Sequence, residues 1–110
     1  MVFSYNQKMS IVKLLLDIIS VDGKIDARET FLFEQIKKEL ELNPEDHFKA
    51  YEYNTLLCLS IIKDMTEQQK QRCLKMMVDM IMADEEVAVN EKIAFENICE
   101  FCALPKMGIN

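Results

Sequence analysis

Six carboxylates in two matched sets of three are the residues of this chain whose type and spacing suggest chemistry: Asp17, Asp22 and Glu29, and again Asp79, Asp84 and Glu91. In each set one acid falls late in a helical stretch, one in the turn that follows, and one in the first turn of the next helical stretch. Glu29 precedes Leu32, Phe33 and Ile36 at +3, +4 and +7, so its carboxylate leans toward the side of the helix that meets a partner. Glu91 stands in the same way before Ala94, Phe95 and Ile98. An acid at the edge of an apolar face is costly unless it is hydrogen-bonded, paired or on a cation, and a hairpin returns Glu29 to the neighbourhood of Asp17 and Asp22. Two or three carboxylates with carbonyls from the intervening loop are hard oxygen ligands, suited to Ca²⁺, Mg²⁺ or Mn²⁺.

Plainer roles compete for the same acids. Glu29, three residues after Asp26, completes a capping box and sits well with the helix dipole. That accounts for the first copy better than the second, because Ala88 offers no capping side chain ahead of Glu91. Asp17 and Asp79 each follow a lysine by four residues, Lys13 and Lys75, and can pair with it, although lysine before acid is the weaker order. An EF-hand is excluded by spacing: a loop begun at Asp22 has Lys24 third, and one begun at Asp17 has Ile19 and Val21 at ligand positions.

The elements that must position these acids are helices. Two glycines and two prolines leave little material for the turns of a sheet protein, and apolar residues recur at helical spacing throughout. The first helix is predicted over about Ser4 to Ser20, apolar on all but the narrow stripe of Ser10, Lys13, Asp17 and Ser20, which makes it a central element wrapped by neighbours. The second runs from about Ala27 to Leu40 behind an Asp26 cap, forming a hairpin with the first. Asn43 and Pro44 open a third, a break near Asn54 separates a fourth, Thr66 with Gln69 caps a fifth that ends near Ala83, and the sixth spans about Asn90 to Cys102. The tail from 103 to 110 reads as irregular.

The chain matches itself at one offset. Residues 11–36 fall on residues 73–98, an offset of 62, with identities that include Lys13/Lys75, Asp17/Asp79, Asp22/Asp84, Glu29/Glu91, Phe33/Phe95 and Ile36/Ile98. The expected fold is therefore an all-α single domain over residues 1–110, of six to seven short helices built on two pseudo-symmetric helical hairpins at about 9–40 and 71–102.

Composition narrows the function classes. At 110 residues the chain is one domain, half of it is apolar, and no apolar run reaches the roughly 18 residues that cross a bilayer. A net charge of -6 repels phosphate backbones, so nucleic acid is not an expected partner and neither is direct membrane insertion. The opening MVFSYNQKMS lacks the basic and apolar regions of a signal peptide, which predicts a cytoplasmic chain with reduced cysteines. Cys58, Cys73, Cys99 and Cys102 lie in apolar stretches and read as packing residues, and the Cys99/Cys102 pair has no matching second pair of ligands. The single histidine, His47, reads as an exposed helix residue, and Met76, Met77, Met80 and Met82 read as filling an irregular core. No nucleophile–base set and no glycine-rich phosphate loop is present, so no catalysis is expected.

The hairpin from Leu14 to Glu29, L-L-L-D-x-I-x-x-D-G-K-I-x-x-x-E, repeated in degenerate form after two intervening helices, resembles the TerB-like family over roughly residues 9–104. That family includes the tellurite-resistance protein TerB and the region ahead of the J-domain in some membrane-anchored DnaJ-like co-chaperones. The resemblance implies an all-helical fold, no enzymatic activity, and a role in stress responses through binding of metal or partner proteins. It places the acidic motif on Asp17, Asp22 and Glu29 and on Asp79, Asp84 and Glu91. The second turn, Asp84-Glu85-Glu86-Val87, lacks the glycine of Asp22-Gly23-Lys24-Ile25, so a single cation would be expected at the first copy. Two functional readings follow: a TerB-like module binding a divalent cation, or an acidic protein-interaction module whose carboxylates are caps and a docking surface.

Overall fold

The computed structural model describes residues 2–21, 27–83 and 89–104. Six helices are formed among them: α1 Tyr5–Ile19, α2 Ala27–Glu39, α3 Pro44–Ala50, α4 Thr55–Lys63, α5 Glu67–Met82 and α6 Val89–Cys102. No strand occurs among the described residues, and no helix there is long and apolar enough to cross a membrane. The radius of gyration, 12.7 Å, is close to the roughly 13 Å of a compact chain of this length.

Helix α1 is the axis of the molecule, as its almost unbroken apolar surface requires. Ile11, Val12, Leu14, Leu15, Ile18 and Ile19 are all buried, and α1 packs against each of the other five helices. Ser10 from its polar stripe is buried too, its hydroxyl donating to the Asn6 carbonyl at 2.7 Å. Cores of α2, α5 and α6 follow the same spacing, with Phe33 and Ile36, Met77 and Met80, and Phe95 and Ile98 buried. Met82, expected in the core with its neighbours, is exposed as the last residue of α5.

The internal repeat governs more of the architecture than the hairpins alone. Both long first helices open with the same capping box. Ser4 accepts from the Gln7 backbone and Gln7 from the Ser4 backbone, and Thr66 and Gln69 do the same 62 residues on. Both second helices close alike. Glu41 (φ 58) and Ala103 (φ 57) take the left-handed conformation, and the Leu42 N–H donates to the Lys37 carbonyl as the Leu104 N–H donates to that of Cys99. This is the reversed turn that satisfies the last carbonyls of a helix, made here without glycine. Helix pairing obeys the same relation, because α1 meets α6 as α2 meets α5, while Gln7 and Gln69 touch each other at 3.2 Å. The insertion between the halves breaks the symmetry: α3 packs on α1, and α4 lies on α1 and α6.

Candidate functional site

Asp17 sits near the end of α1, half-buried, with Lys13 Nζ at 3.2 Å and the Thr55 hydroxyl donating to its Oδ2 at 3.0 Å. Asp79 holds the matched place on α5 and takes Lys75 Nζ at 2.7 Å. Both aspartates therefore have a counter-charge one helical turn back, as the lysine spacing allows. Asp17 further ties α1 to the start of α4, where Thr55 is the first helical residue.

Glu29 and Glu91 lie in the first turns of α2 and α6 and are 2% and 6% exposed. Oε2 of Glu29 is sealed from solvent. Each stands four residues ahead of a buried phenylalanine, Phe33 or Phe95, so the phenyl ring that anchors the helix also draws its first turn inward. The positive end of the helix favours a carboxylate there, and burial makes that field stronger. Asp22 and Asp84, the Asp26 cap, Ala88 and both connecting turns lie outside the described residues, as does most of the tail. Among the described residues no three His, Cys, Asp or Glu side chains are grouped as metal ligands.

The structure adds polar clusters that spacing does not reveal, because each joins residues far apart in sequence. Tyr5 donates its hydroxyl to Asp46 Oδ1 at 2.8 Å, while Asp46 Oδ2 accepts from the Asn43 backbone at 2.9 Å at the start of α3. These bonds, that from Asn43 first, hold the Asp46 carboxyl below its ordinary value, and the same bond raises the Tyr5 hydroxyl. His47 is half-buried rather than exposed, with ring centroids of Phe33, Phe48 and Tyr51 at 5.3, 5.5 and 5.6 Å. Its position on α3 faces α2, and Lys37 Nζ donates to its Nδ1 at 3.1 Å, which requires a neutral ring with its proton on Nε2. Burial first, then the Lys37 charge, pushes the histidine below its ordinary value. Lys37 itself is buried, paired with Glu34 at 2.8 Å and set over the Phe33 ring.

All four cysteines are buried and none forms a disulfide. Burial pushes Cys73 up to about 12 and Cys102 up to about 11, and Cys58 is raised for the same reason. Thiols so placed are packing residues, as their apolar sequence setting predicts.

One open-sided groove of about 560 Å³ runs between α2 and α5. Leu32, Ile36 and Met76 form its floor, Asp79 with Lys75 stands toward one end, and an Arg72–Glu39 ion pair spans the other.

No protein-family model and no curated protein matches the chain. Among solved structures, the crystal structure of a protein of unknown function from Porphyromonas gingivalis W83 aligns over 97% of this chain and 90% of its own, at 20% identity and a TM-score of 0.81. At that identity the likeness establishes the fold, an all-helical single domain, and nothing about activity.

Proposed function

We propose that this chain is a non-enzymatic helical binding module, of the TerB-like kind that its hairpins resemble, which acts by docking and uses its duplicated carboxylates as frame. One observation carries this reading: Asp17 and Asp79, the matched acids on the long helices, are already neutralised by Lys13 and Lys75, and Asp17 also receives the Thr55 hydroxyl. Each of these acids has a lysine one turn back as counter-charge, and through Thr55 Asp17 also ties α1 to the start of α4, which is work in the frame. A second reading keeps the divalent cation, Ca²⁺, Mg²⁺ or Mn²⁺, at the hairpin turns. It is favoured by the burial of Glu29 and Glu91 at matched positions, since an acid taken from water needs a counter-charge or donors.

A thermal melt after EDTA, repeated with millimolar Ca²⁺, Mg²⁺, Mn²⁺ and Zn²⁺, separates the two. The frame reading expects no shift with any ion, and a loss of stability in Asp17→Asn that is the same with and without metal. A cation at 100 times its Kd would instead add about 2.7 kcal/mol, several degrees in a domain of this size. Such a shift, abolished in Glu29→Gln, would replace the frame reading with the cation reading.

A further inference from the structure

The two halves of the molecule present equivalent grooves, and among the described residues only one of them is filled by the chain itself. Helix α4 lies in the groove between α1 and α6. Thr55 donates its hydroxyl to Asp17, Cys58 lies beside Ser10, the Cys102 thiol donates to the Leu59 carbonyl, and Lys63 stands over the Phe101 ring. Under the 62-residue relation, Asp17, Ser10 and Phe101 become Asp79, Arg72 and Glu39, and those three residues line the open groove between α5 and α2. Exposure registers the difference: the Lys13 side chain, beside α4, is 15% exposed, while its mate Lys75 is 62% exposed.

We propose that the α2/α5 groove is the docking site for a short amphipathic helix of a partner protein, built like α4 and lying antiparallel to α5. This rests on the docking reading above and adds to it the surface and the chemistry of the ligand. On the filled side the required features can be read directly: a hydroxyl in the first turn, small and aliphatic residues in a stripe such as Cys58, Leu59 and Ile62, and a cation in the last turn. The open side keeps the matching groups. Asp79 stands where Asp17 takes the hydroxyl, Ile36 and Met76 hold the places of the buried Ile98 and Leu14, and Glu39 stands where Phe101 receives Lys63. The rim sets Lys38, Arg72 and Lys75 beside Glu39 and Asp79, so the two acids meet the hydroxyl and the cation of a docked helix by exchanging their own basic partners. Asp79 and Arg72 are seven residues apart on α5, about 10 Å along the axis, which two to three turns of a docked helix cover. Arg72 replaces the small Ser10 and crosses to Glu39, so the groove is bridged when empty, but an exposed ion pair is a weak lock that an incoming cation at Glu39 can exchange.

The probe is a helix-constrained peptide of residues 54–64 carrying Cys58→Ser, titrated into the isotopically labelled full chain and followed by NMR. Saturable shifts centred on Ile36, Met76 and Asp79 are expected. Affinity should fall on the order of tenfold in Glu39→Lys and again in Asp79→Lys, both rim substitutions whose folding is checked by circular dichroism. Absence of saturable binding overturns the assignment, as do unchanged affinity in both variants and shifts centred on Ser10 and Phe101, which would mean displacement of the resident helix. Concentration-dependent dimers through this face without peptide would give the groove to a second copy and overturn the partner helix. Failure of the peptide leaves the cation melts unaffected, and a cation shift lost in Glu29→Gln would sink the frame reading whatever the peptide does.

Discussion

A glutamate sealed into the first turn of a helix must be satisfied by what surrounds that turn, and the chain does this twice at one spacing, with Glu29 and Glu91. The aspartates beside them in sequence are treated differently, because they face lysines across one helical turn instead of the core. His47 shows the same sensitivity to surroundings. In the folded chain burial and Lys37 hold its pKa below the ordinary 6.5, so the fold binds fewer protons at this ring than the unfolded chain does. Its contribution to stability is complete above the unfolded value of 6.5 and is lost as pH falls through 6.5 toward the lower folded value. A melt at about pH 5.5 should therefore lie below one at about pH 7.5, and His47→Phe, which keeps a ring among Phe33, Phe48 and Tyr51, should remove that part of the difference. A midpoint for His47 at or above 6.5 in an NMR titration would contradict this cause.

At the scale of helices, the boundaries were legible because the apolar period, the Thr66–Gln69 capping box and the 62-residue match all point to the same ones. The helix ends at Glu41 and Ala103 were not legible. A left-handed cap is signalled by glycine, and here a glutamate and an alanine adopt it because the Leu42 and Leu104 bonds hold the turn closed. The conformation costs a non-glycine residue roughly 1–2 kcal/mol, partly recovered from the reduced freedom of the unfolded chain. Ala103→Gly and Glu41→Gly should each stabilise the protein by about 0.5–1 kcal/mol in urea unfolding, with an unchanged denaturant slope. Loss of stability in both would mean that the Cβ atoms at these positions make contacts worth more than the strain. The α2/α5 groove escaped sequence reading for a related reason: Arg72 and Glu39 look like ordinary solvated charges until their mates are placed, Ser10 buried beside Cys58 of α4 and Phe101 beneath the Lys63 ammonium. His47 escaped because Phe33 and Lys37 reach it from another helix.

For the whole molecule, the decisive fact is that one helix belongs to both halves. The repeat invites a picture of two hairpins that fold separately and then associate, each with its own capping box and closing turn. Yet α1 packs against all five other helices, so the second hairpin completes its core on residues of the first. Phe95, Met77 and Met80 are buried in the one cluster to which Leu14, Leu15 and Ile18 of α1 also belong. Unfolding should consequently be a single transition reported alike by helicity and by tyrosine fluorescence, although the three tyrosines all lie outside the second half. Leu15→Ala, at a fully buried site, should cost about 2–5 kcal/mol and lower that one midpoint for every probe. A fragment of residues 66–104 should lack cooperative melting by circular dichroism, because two helices of these lengths leave one apolar face in water. Two resolved transitions in the full chain, or a fragment that melts cooperatively, would show that the halves are independent and that α1 is only a shared contact. The same coupling bears on docking, since a helix seated between α2 and α5 stiffens an interface that α1 already joins to α4, and its binding should raise the midpoint of the entire chain.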